Sequence, residues 1–164
     1  MRSRAGSHPS RRRTRRPSTK RAFYRLEDGS PGFPAVAFKD ATTKGARFYG
    51  KSVTMTGLRQ FVFIRGEIGD DGRAMVRVKG DPEMREDVVR VGNGGTDLRY
   101  RPQFREWSTE LEVTYVTSAL TRDSLLSLID AGGMGIGVGE WRPEKKGDFG
   151  TYRIDPDRAV QVVS

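Results

Sequence analysis

The sequence predicts an α+β domain of the ferredoxin-like, split βαβ kind: an antiparallel sheet with two helices on one face and an inserted β-hairpin arm. Three observations carry that expectation. Two stretches of helical periodicity are each flanked by β-prone runs, so the order β-α-β occurs twice. Turn chemistry at Asp70-Asp71-Gly72 and at Gly92-Asn93-Gly94-Gly95 folds the middle of the chain back on itself. A basic, apolar-poor N-terminus separates a tail from a body.

Residues 1–21 are Arg, Ser, Pro and Thr with almost no apolar mass, so burial cannot offset the entropy of ordering them. They predict a disordered basic tail. Ten of the 30 Lys and Arg residues fall between Met1 and Leu26 with no acid among them, which leaves twenty against 21 Asp and Glu. The remainder is near neutral, and the tail carries the net charge of +9. Residues 22–155 are expected to form the body, with the hairpin insertion at about 69–105. Residues 156–164 form a C-terminal tail in which Val160, Val162 and Val163 can add a short strand.

Within the body, Ala22 to Leu26 predicts a first strand, and Glu27 to Gly32 a turn. Pro34 suits the first turn of a helix running to about Phe48. That helix would turn Val36, Ala37, Phe38, Ala41 and Phe48 toward one face, with Lys39, Asp40, Lys44 and Arg47 mostly on another. Leu58 to Ile68 reads as a strand because Phe61, Phe63 and Ile64 are bulky and β-prone, and Ala74 to Val78 as its return. Asp81 to Asp87, with Pro82, reads as a polar loop before extended pieces at Val88–Val91 and Asp97–Tyr100. Glu110 to Thr117 alternates cleanly, with Leu111, Val113 and Tyr115 on one face. Thr121 is an N-cap for a helix Arg122 to Ala131, with Leu125, Leu126, Leu128 and Ile129 inward and Gly132-Gly133 as its stop. Phe149 to Ile154 predicts the last strand.

Several functional classes are excluded by composition. With no cysteine and one histidine, His8, there is no disulfide framework, thiolate metal site, His-based zinc site or Ser-His pair. No apolar run reaches the length of a membrane span, and the basic N-terminus has no apolar segment behind it, so a cytoplasmic protein is expected. Gly135-Ile-Gly137-Val-Gly139 follows a helix and precedes a strand, the reverse of a dinucleotide loop, and no cofactor is expected. The acids are scattered over a turn, a strand face and a loop, so catalysis is not expected either.

Binding features remain. Arg11, Arg12, Arg13, Arg15 and Arg16 would neutralise phosphates and release counterions, giving salt-dependent attraction to nucleic acid. A merely solubilising tail is the plain alternative. Arg99 and Arg101, with Arg105, interleave with Tyr100, Phe104 and Trp107, the mixture of charge and stacking surface that single strands require. The plainer alternative, a solvated face beside ordinary core aromatics, weighs somewhat more for any single one of them. Gly135, Gly137 and Gly139 leave backbone free to approach a ligand, with Trp141 placed to stack a base and Arg142 to pair a phosphate. The alternative there is a Gly-bulged strand with Trp141 in the core.

Two segments carry a resemblance. Gly32-Phe-Pro-Ala-Val-Ala-Phe-Lys39-Asp-Ala, running into Lys44-Gly-Ala-Arg47, resembles the helix start of repeat-associated RAMP proteins, the ferredoxin-like RNA-binding subunits of CRISPR effector backbones. Gly135 to Ile154 is similar to their glycine-rich loop and following Gly-aromatic strand, and to small proteins of high-GC bacteriophages. The resemblance implies a single-strand-binding fold, a thumb-like hairpin and head-to-tail assembly along nucleic acid. By it, Lys39, Lys44 and Arg47 meet the phosphate backbone, and the Gly135–Gly139 loop lies against it.

The expected function is therefore non-enzymatic binding of single-stranded RNA or DNA. A structural homo-oligomer that touches nucleic acid through its tail is the second reading, and a metal-dependent nuclease the third.

Overall fold

The computed structural model describes residues 23–50, 53–92 and 94–163. The tail arginines Arg11, Arg12, Arg13, Arg15 and Arg16, and the start of the expected first strand, lie outside the described residues. The chain divides into two compact units: a hairpin unit holding Pro82–Arg105 and Phe23, and a body made of Tyr24–Asp81 and Glu106–Ser164.

The body is α+β with more than one antiparallel sheet. β1 (Gly32–Pro34), β4 (Ala74–Lys79) and β3 (Glu67–Ile68) form one ladder in the order β1-β4-β3, and β7 (Ser108–Thr109) also pairs with β4. β2 (Val62–Arg65) and β8 (Glu112–Tyr115) form a separate two-stranded ladder, Val62 opposite Tyr115 and Arg65 opposite Glu112. The expected single sheet is thus divided. β1 takes β4 as its partner because Gly32 lets the strand lie close: a Cβ there would meet Met75 Cβ at 3.3 Å. Leu26 and Arg25 contribute only isolated bridges, to Gly69 and Pro31, in place of a first strand.

Among the described residues, three α-helices complete the body. α1 (Ala35–Lys44) follows Pro34 directly and continues as a 3-10 turn, Gly45–Tyr49. It buries Ala35, Phe38 and Ala41, while Val36 is 69% and Phe48 56% exposed, so the expected inward face is rotated. α2 (Met55–Phe61) takes the first four residues of the segment expected to be a strand, Leu58 to Phe61. Its N-cap explains the outcome: the Thr54 hydroxyl accepts from Gly57 N at 3.1 Å, a local bond that starts a helix despite β-prone Phe61. α3 (Arg122–Gly135) is capped by Thr121, as its sequence predicts, but runs through Gly132 and Gly133. These glycines are not a stop. A Cβ at Gly132 would fall on the Ala41 carbonyl and one at Gly133 on Tyr152, so they allow α1 and the C-terminal segment to approach α3 closely.

Two apolar clusters fill the body. Ala46, Leu58, Val62, Leu120, Leu125, Leu128 and Ile129 form one. Ala35, Phe38, Ala41, Val76, Ile136 and Val138 form the other, and Tyr152 packs on both. Trp107, which the sequence offers as a stacking surface, is part of this interior, 6.3 Å from the Phe38 ring and 6.1 Å from Tyr152. The expected last strand, Phe149–Ile154, forms no strand among the described residues. Its backbone is held by α3 instead, Tyr152 N donating to Gly133 O and Ile154 N to the Asp130 carboxylate. The described part of the C-terminal tail forms no strand.

The hairpin unit consists of β5 (Pro82–Val91) and β6 (Gly95–Phe104), ten residues each and in register from Pro82–Phe104 to Val91–Gly95. The stretch Asp81–Asp87, expected as a loop, is mostly strand. Pro82 sits at its first residue, where a missing N–H is tolerated.

Candidate functional site

The end of α1, the 3-10 turn after it and the loop after α3 meet at one place on the body. Past α3, Ile136 and Val138 are buried and the chain reverses through Gly137 and Gly139, with φ of 70° and 81°. The segment Val138–Gly150 is closed on itself: Val138 N donates to Gly150 O, Phe149 N to Trp141 O and Gly147 N to Arg142 O, at 2.9, 3.0 and 3.1 Å. Gly147 and Gly150 are needed for this closure, because a Cβ on either would overlap the backbone of Trp141 or Val138. The loop holds Trp141 at φ 54°, a left-handed conformation uncommon outside glycine, and leaves it 56% exposed. Trp141 is therefore not a core residue.

A second 3-10 turn, Pro143–Lys145, presents Glu144, and three cations converge on its carboxylate. Lys44 Nζ lies 2.7 Å from Oε1, and Arg47 Nη1 3.7 Å from the same oxygen. Arg142 Nη2 donates to Oε2 at 2.8 Å, while its Nη1 donates to Gly139 O at 2.9 Å. Lys44 also meets Asp40 at 2.6 Å. Three cations against two carboxylates leave this notch with a net charge of +1.

The electrostatics follow from that packing. The Lys44 hydrogen bond, joined by that of Arg142, holds the Glu144 carboxyl below its ordinary range despite burial. Burial pushes the Lys44 ammonium down, but its bonds to Asp40 and Glu144 outweigh this and leave it raised. The Lys44, Arg142 and Glu144 side chains are 17%, 25% and 15% exposed, whereas Arg47 is 49% exposed and reaches solvent.

The structure thus brings Lys44, Arg47, Trp141, Arg142 and the Gly137–Gly139 backbone together. Gly135 lies under the ring of Phe48, where a Cβ would clash. Lys39 is engaged elsewhere, its ammonium 4.7 Å from the centroid of the half-exposed Phe63 ring. Arg99 and Arg101 belong to the hairpin unit, on its charged face, where Arg101 meets Asp87 at 3.3 Å and Arg99 lies 3.8 Å from Asp97. Glu144, on which the three cations converge, is the member of this candidate site that the sequence does not single out. The available signal was its place two residues after Arg142, in a 3-10 turn begun by Pro143.

Among the described residues there is no group of three or more His, Asp or Glu able to hold a metal ion, and no helix long and apolar enough to cross a membrane. No protein-family model, curated protein or solved structure matches this chain.

Proposed function

We propose that this protein binds single-stranded RNA or DNA without catalysing a reaction on it, gripping the phosphate backbone in the Lys44–Arg47–Arg142 notch and stacking a base on Trp141. The observation that carries the reading is the convergence of three cations from separate elements on one carboxylate, beside an exposed tryptophan held at positive φ. A carboxylate in that position occupies the ground a phosphate oxygen would take, because both accept charged N–H donors in similar geometry. The exposed indole offers a stacking face that every base can use.

The body is read as a divided ferredoxin-like fold, with β1-α1-α2-β2 and β8-α3 as the two halves and β2 antiparallel to β8. Kinship with RAMP-type subunits belongs to the same proposal and accounts for Lys44, Arg47 and the glycine loop acting together. The tail arginines supply general attraction, and the notch supplies preference for a flexible strand.

The test is binding of full-length protein to single-stranded and duplex oligonucleotides across a salt series, beside variants with the five tail arginines, or Lys44 and Arg142, changed to Gln. Tail changes should weaken both ligands alike. Notch changes should weaken the single strand more. Absence of binding at low salt by the unchanged protein refutes the proposal.

A further inference from the structure

The hairpin unit has two unlike faces, and register assigns every residue to one of them. Side chains alternate along each strand and directly opposed residues share a face. Glu83, Arg85, Asp87, Asp97, Arg99 and Arg101 therefore lie together, three acids against three bases: Arg85 donates twice to Asp87 at 2.8 Å, and Arg101 approaches the same carboxylate. The other face carries Met84, Val88, Leu98, Tyr100 and Pro102. At the base of the hairpin Phe23 packs edge-on against Phe104, 6.1 Å between centroids. Farther out, the directly opposed Val88 and Leu98 are 69% and 54% exposed.

A two-stranded sheet alone in water is marginal at best, and one this long with an open apolar face gains most from a partner laid on that face. Glu86 and Arg90 say which partner. They sit on the apolar face two residues either side of Val88, so about 6–7 Å from it in opposite directions. A twofold axis running across the strands at the Val88–Leu98 pair stacks Val88 on Val88 and Leu98 on Leu98 of a second copy. It also places Glu86 of each copy against Arg90 of the other. A twofold axis running along the strands would instead set Glu86 against Tyr100 and Arg90 against Thr96, with no charge pairing. Nucleic acid fits the outer part of this face poorly, since the exposed Val88–Leu98 pair offers no stacking plane and Glu86 offsets the attraction of Arg90 for phosphate.

We propose that the hairpin is a dimerisation arm, joining two copies of this chain through their Val88–Leu98 faces about a twofold axis. Such a contact is isologous and closes at two copies, unlike the open head-to-tail order the family resemblance implies. It does not depend on the nucleic-acid reading.

Sedimentation velocity on full-length, nuclease-treated protein tests it, over about 1–100 μM, a range that brackets a micromolar Kd. The mass should rise to twice that of one chain and stop. Val88→Thr with Leu98→Thr keeps β-prone side chains but removes the apolar contact, and should leave one chain at every concentration while the melting transition of the body persists. Glu86→Lys alone and Arg90→Glu alone should each weaken self-association about tenfold through like-charge contacts. Mixed in equal amounts they should recover dimer. In the mixed pair the two reversed charges face each other as opposites, and the unchanged Arg90 of one chain faces the unchanged Glu86 of the other. A protein that stays single throughout overturns the proposal. So do growth beyond two copies, a dimer indifferent to the Thr pair, and a mixture no tighter than either single variant.

Discussion

Replacing Glu144 by Gln separates the notch's role in folding from its role in binding, because the two respond with opposite sign. In the native protein the Glu144 carboxylate accepts from Arg142 at 2.8 Å and pairs with Lys44 at 2.7 Å. Gln keeps the shape but loses the charge, so these contacts weaken and the protein loses up to about 1.5–3 kcal/mol of stability, the usual worth of hydrogen bonds to charged groups. The same change raises the notch from +1 to +2. A unit charge about 4 Å from a phosphate in water-like surroundings is worth about 1 kcal/mol, or about fivefold in Kd. Chemical denaturation reads the first effect, and fluorescence anisotropy with a labelled single strand the second. Lower stability with tighter binding is expected. Lower stability with unchanged or weaker binding would mean that Glu144 does not stand where phosphate goes, and the reasoning fails.

Other expectations follow from the same geometry. Gly132→Ala should destabilise by about 1–3 kcal/mol even though alanine is the better helix former, because its Cβ meets the Ala41 backbone and forces α1 from α3; thermal melts decide the sign. Trp141→Asn, a residue that tolerates positive φ, should preserve or raise the melting temperature while costing about 1–3 kcal/mol of single-strand affinity. Hydrogen bonds from Ser30, backbone first, and then from Arg77 lower the Asp28 carboxyl from 3.8 to about 2. Its stabilising contribution is therefore complete above its unfolded value and fades as pH falls toward about 2. Urea midpoints of Asp28→Asn should accordingly fall less steeply over that acid window than those of the unchanged protein.

Legibility in the sequence tracked how local each cause is. Thr121 capping α3, the Asp70-Asp71-Gly72 turn, β4 and the glycine tip of the hairpin rest on neighbouring residues, and the sequence alone places them. α2 was hidden because Phe61, Phe63 and Ile64 advertise a strand, while Thr54 starts a helix just upstream. Gly132-Gly133 imitate a stop signal, and only the closeness of Ala41 and Tyr152 reveals their purpose. Tyr152 and Ile154 look like strand residues but are spent on α3, with the Tyr152 ring buried deeply enough to push its ionisation up to about 12. At the site, Lys44, Arg47, Trp141 and Arg142 could each be singled out by residue type. That the three cations share one carboxylate is a tertiary fact, which no spacing within the chain encodes.

The most direct measurement is the salt dependence of single-strand binding by the full-length protein and by its Lys44→Gln, Arg142→Gln variant, both confirmed folded. Each phosphate contact contributes about −0.7 to the slope of log K against log salt for a single strand. With both cations in contact, the variant should bind more weakly at low salt, with a slope shallower by about 1.4, so that the two lines converge as salt rises. Two superimposed lines would show that the notch does not touch the strand and that the tail alone attracts it.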